Sequence, residues 1–63
     1  MQISLKAARI NAELKQSDVA VALGVTKKTV ASWEKNKSLP RIDKIEAICT
    51  LYGVTYDDIR WGN

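Results

Sequence analysis

The 63 residues allow one small domain that buries only ~60% of the surface its unfolded chain exposes, so nearly every apolar side chain must serve a single core and no cleft is left for catalysis. One cysteine, Cys49, and no histidine exclude an internal disulfide and a Cys/His metal site, which makes a cytoplasmic setting without cofactor the default. The net charge of +3 and pI of 9.3 are unevenly spread: Lys27, Lys28, Lys35, Lys37, Arg41 and Lys44 face only Glu34 and Asp43 between positions 27 and 44, and that stretch is either a solvated lysine-rich face or a docking surface for a polyanion.

Ser4 can cap a first helix from Leu5 to Ala12, with Leu5, Ala8, Ile10 and Ala12 supplying its apolar contacts. Arg9 interrupts that set, and an arginine so placed either snorkels to water or meets a carboxylate, for which Glu34 is the candidate. After a short link from Asn11 to Lys15, in which Leu14 turns inward, a second helix begins near Gln16 and carries Val19, Ala20, Ala22 and Leu23 up to Gly24. Lys15 is a poor cap, partly offset by Ser17 and Asp18 in the first turn. Gln16 then sits where free backbone N–H groups and the helix dipole favour a phosphate, or is simply a surface amide.

Thr26 is a good cap for a third helix, Lys27 to Glu34, only two residues beyond Gly24, so the two helices form a tight helix-turn-helix pattern. Val30 and Trp33 point to the core; Lys27, Lys28, Ala31 and Ser32 are left outside. Two lysines in the first turn oppose the helix dipole at a cost of a few tenths of a kcal/mol or more, so a functional demand explains them better than stability does. They can extend into a DNA major groove and donate to guanine O6 and N7, with Ser32 beside them and Thr29 reaching bases or backbone; alternatively both lysines face phosphates and carry no sequence information.

Asn36 is the candidate left-handed residue that ends this helix, Pro40 prevents continuation, and Leu39 can fold back onto the core. Lys35, Lys37 and Arg41 ring the helix exit and suit a phosphate backbone, and Thr26 and Asn36 are assigned to the same phosphate set. A fourth helix runs from Ile42 to Tyr52 and stops at Gly53, with Ile42, Ile45, Ile48, Cys49 and Tyr52 as its inner stripe; Cys49 there is a small hydrophobe rather than a reactive thiol. Thr55 and Asp58 form a capping-box variant that starts a short last helix through Tyr56, Ile59 and Trp61, a segment that offers a self-association surface or packs on its own domain.

Taken together, Arg9, Gln16, Ala20, Gly24, Val25, Thr26, Val30, Trp33 and Glu34, followed by Lys37, Pro40, Ile45, Ile48, Cys49, Gly53, Val54 and Ile59, resemble the Cro/C1-type helix-turn-helix domains of phage repressors over almost the whole chain. The resemblance implies an all-α, compact five-helix lambda-repressor-like DNA-binding domain, with residues 1–63 as its single unit. It implies that Lys27, Lys28 and Ser32 read bases, that Gln16 and Lys37 touch phosphates, and that Arg9 pairs with Glu34. It also implies weak homodimers on pseudo-palindromic operators in double-stranded DNA, with recognition helices ~34 Å apart. Lys15 and Arg41 depart from the usual capping hydroxyls and Asn36 from the usual glycine. The chain then reads as a stand-alone regulator or as the DNA-binding part of a longer repressor. A protein-interaction module of the same fold, whose basic face meets an acidic partner, is the other function class, and without histidine or a pocket no catalytic constellation can be assembled.

Overall fold

A computed structural model describes residues 2–62. It contains four α-helices, α1 (Leu5–Asn11), α2 (Gln16–Leu23), α3 (Lys27–Glu34) and α4 (Ile42–Tyr52), and then one 3-10 turn, Tyr56–Asp58. The Ser4 hydroxyl accepts the Ala7 N–H at 3.1 Å to start α1. At α2, Lys15 offers no side-chain oxygen, and order comes from the other direction: its backbone N–H donates to Asp18 Oδ2 at 2.9 Å. Helix α3 is capped by Thr26, whose hydroxyl accepts the Thr29 N–H at 3.1 Å.

All four helices end by the same device. A left-handed residue reverses the chain, and the next N–H reaches back to the carbonyl five residues earlier: Leu14 to Arg9, Val25 to Ala20, Lys37 to Ser32 and Val54 to Cys49, at 3.2, 3.0, 3.0 and 3.0 Å. The left-handed residues are Glu13 (φ 60°), Gly24 (φ 68°), Asn36 (φ 61°) and Gly53 (φ 70°). Gly24 adopts its φ at the α2–α3 turn without the strain that a side chain adds there. Glu13 bears that strain.

The core comprises Leu5, Ala8, Val19, Ala20, Leu23, Val30, Trp33, Ile48, Tyr52 and Ile59, and the most extensive helix contact is between α2 and α3. Buried Ala20 and Val19 bring α2 close enough for a three-residue connection. Four expected core residues lie outside it. Ile10 is 55% exposed, because at 100° per residue it stands about 140° round α1 from Leu5. Ile42, 79% exposed, stands about 120° from Ile48 on α4, since a repeat of three drifts off the inner face. Ala22 is also exposed, and Leu39 projects outward while Pro40, next to it, is buried.

Among the described residues the expected fifth α-helix does not form. Its capping interaction exists, with the Thr55 N–H donating to Asp58 Oδ2 at 2.9 Å, but only one 3-10 turn follows. The Asp58 carbonyl is taken by the Ile3 N–H at 3.0 Å, and the Arg60 N–H donates to the Ile3 carbonyl at 2.9 Å. Ile59 is therefore extended, pairs in parallel with Ile3 and inserts into the core at 1% exposure. Ile59 is thereby removed from any self-association surface. Tyr56 and Trp61 stack with centroids 5.5 Å apart, and Trp61 Nε1 donates to the Tyr56 carbonyl at 2.9 Å. Tyr56 nevertheless remains exposed.

Candidate nucleic-acid interface

The α2–turn–α3 unit is tied to α1 by a part-buried polar cluster. Arg9 Nε donates to Glu34 Oε2 at 2.6 Å and Nη2 to Oε1 at 3.4 Å, while Nη1 donates to the Leu14 carbonyl at 2.8 Å. Their side chains are 11% and 4% exposed. One guanidinium thus ties α1, the link before α2 and the last residue of α3 together. Glu34 also accepts from Gln16 Nε2 at 3.0 Å. The Gln16 amide is therefore oriented by the cluster at the first turn of α2 rather than free to swing. Among the described residues every buried side-chain N or O has a hydrogen-bond partner, so this cluster is complete. Tyr52 of α4 lies beside it: burial, and then the Glu34 carboxylate, push its hydroxyl pKa up to about 12, with Arg9 partly opposing.

The basic residues at the two ends of α3 stand free. Lys27 and Lys28 occupy the first turn of α3, exposed, and Lys35, Asn36, Lys37 and Arg41 follow its exit, exposed as well. Ser32 is half-buried on the same helix. Among the described residues the only ion pair is Arg9–Glu34, so none of these five cations is neutralised by a carboxylate. Thr26 and Thr29 are engaged with each other, hydroxyl to hydroxyl at 2.9 Å, and fix the helix start; with the Thr29 N–H also bound to Thr26, the Thr26 oxygen has room for one further interaction and the Thr29 oxygen for two.

Lys37 is informative by comparison. At the other three helix ends the equivalent residue is apolar, and Leu14, Val25 and Val54 all pack against the core. At the end of α3 this slot holds an exposed lysine. Stability alone favours an apolar residue there. Lys44, by contrast, is not part of the free set: its Nζ donates to the Leu23 carbonyl at 2.8 Å, a use no local sequence pattern signals. Cys49 is half-buried, lining a groove with Ile42, Ile45 and Tyr56, and burial followed by the nearby Asp58 raises its thiol pKa. A raised pKa keeps the thiol protonated and unreactive.

A short recognition-type helix, capped by threonine, joined through a left-handed glycine to a supporting helix and bearing unpaired cations, defines a helix-turn-helix module. The chain belongs to the helix-turn-helix family, whose model matches residues 5–59, and within it is a Cro/C1-type domain. It is similar to the 26 kDa repressor protein of Escherichia phage HK022, 42% identical over 41 residues, which is 65% of this chain and 17% of that protein. It is also similar to the cryptic phage CTXphi transcriptional repressor RstR of Vibrio cholerae, 35% identical over 46 residues, 73% of this chain and 41% of the relative. The chain thus spans less than half the length of either relative. No solved structure gives a significant match. No helix among the described residues is long and apolar enough to cross a membrane.

Proposed function

We propose that the chain binds double-stranded DNA sequence-specifically and regulates transcription as a repressor, with α3 in the major groove. The observation that carries this reading is the pair Lys27 and Lys28, exposed, unpaired and set at the end of a helix whose dipole opposes them. Membership of the helix-turn-helix family and likeness to two phage repressors support it. Lys27, Lys28 and Ser32 are assigned to base edges. Gln16, Thr26, Thr29, Lys35, Asn36, Lys37 and Arg41 are assigned to the phosphates on either side. The whole chain acts as one domain inside the cell, and two copies bind a pseudo-palindromic operator. Exposed Ile42 and Tyr56, with half-buried Trp61, offer the apolar surface for pairing, and Ile59, buried in the core, takes no part in it.

Selection of bound sequences from a random duplex pool tests this directly: an inverted repeat with half-sites one helical turn apart is the expected product, and no enrichment refutes it. On the enriched site, Lys27→Ala or Lys28→Ala relaxes preference at one or two positions at a cost of ~1–3 kcal/mol. Lys37→Ala weakens all sequences alike and makes the salt dependence shallower by about 0.9 in slope. Uniform loss from all three variants overturns the division into base-reading and phosphate-contacting roles.

A further inference from the structure

Lys44 stands in the first turn of α4, where a cation opposes that helix's own dipole. Its Nζ instead reaches α2 and donates to the carbonyl of Leu23, the last residue of that helix, at 2.8 Å. The carbonyls of Ala20 and Val21 are already bonded by the Val25 and Gly24 N–H groups, so the ammonium serves a helix end beyond the reach of the Gly24 turn. It also sits at the negative pole of the α2 dipole. The side-chain packing between these two helices is open nearby: a groove lined by Ala22, Leu23, Glu46, Ala47, Thr50 and Leu51 separates them. Only Gly24, Val25 and Thr26 lie between Leu23 and the start of α3.

We propose that Lys44 is a positioning residue for DNA recognition. By pinning the C-terminus of α2 to α4 it fixes the turn, and hence the angle at which Lys27 and Lys28 are presented, without touching DNA. This rests on the DNA-binding function proposed above. A positioning cation and a phosphate-contacting cation differ in one measurable respect: only the second releases counterions on binding.

The test compares the unaltered protein, Lys44→Met, Lys44→Arg and Lys37→Ala. Affinity is measured for the enriched duplex and a scrambled one over a range of salt concentrations, together with amide hydrogen exchange of the free proteins. Lys44→Met is expected to lose about tenfold on the enriched duplex, the scale of one charge-assisted hydrogen bond. Binding to the scrambled duplex and the salt slope stay unchanged, Lys44→Arg restores recognition, and exchange quickens only at Gly24 and Val25. A slope shallower by about 0.9 with equal loss on both duplexes overturns the proposal, because Lys44 then contacts phosphate. Unchanged binding to both duplexes also overturns it, as does faster exchange throughout the chain, which makes Lys44 a general stabiliser. If the unaltered protein does not discriminate between the duplexes, the DNA-binding function itself fails, while exchange at Gly24 and Val25 still reports whether Lys44 holds the turn.

Discussion

Arg9→Met tests the polar cluster that ties α1 to α3. The substitution keeps most of the apolar stem but leaves the Glu34 carboxylate, 4% exposed, with a single neutral donor from Gln16, and strips the Leu14 carbonyl of its partner. Breaking a buried pair from one side costs about 3–5 kcal/mol, because the remaining charge is neither hydrated nor compensated. A domain of this size has only about 3–9 kcal/mol in total, taking 0.05–0.15 kcal/mol per residue. The variant should therefore be close to unfolded at room temperature. Urea titration followed by fluorescence of Trp33, which is buried in the core, measures the loss. In Arg9→Met/Glu34→Met the stranded charge is gone, and the double variant should recover at least about 2 kcal/mol of the single variant's loss. A single variant costing under about 1 kcal/mol, or a double variant costing the sum of its two singles, would refute the account of Glu34 as a charge held by Arg9.

Glu13→Gly should stabilise the protein by about 1 kcal/mol, since glycine relieves the left-handed strain at φ 60°, whereas Glu13→Ala should not; the same urea midpoints decide it. Alkaline titration examines Tyr52. Its folded pKa of about 12 lies above the unfolded value near 10, so its contribution is complete below about pH 10 and is lost as pH rises towards 12. Tyr52→Phe should flatten the stability curve across that window, and an unchanged curve would show that Tyr52 does not titrate there. Ser4→Ala should cost about 1 kcal/mol through loss of the Ala7 bond, measured by thermal unfolding.

Local signals were legible where the chain itself completes the interaction. The bounds of α4, the Ser4 cap and the left-handed Asn36 all follow from residues within a few positions of each other. The failures share a cause. The last helix stops after one turn because Ile3, more than fifty residues away, takes the Asp58 carbonyl, and no local pattern encodes that pairing. Lys44 counts as surface charge until α2 is seen to end beside it. Gln16 has a suitable place at a helix start, but its hydrogen bond to Glu34 depends on the fold. Glu13 carries none of the usual marks of a left-handed residue, being neither glycine nor asparagine. The free cations were visible as a charge imbalance; that none forms an ion pair among the described residues required the structure.

The placement of α3 depends on little of its own outer surface. Its start is fixed by Thr26 and Thr29, its end by backbone atoms of Ser32, Trp33, Asn36 and Lys37, and its inner face by Val30 and Trp33. The side chains of Lys27, Lys28 and Ser32 enter none of the described hydrogen bonds of this frame. Changes at those three positions can therefore accumulate without loss of the fold. On the DNA-binding reading proposed above, a lineage carrying this scaffold would exchange one operator for another through a few substitutions, each tested by selection on DNA preference while folding is held constant.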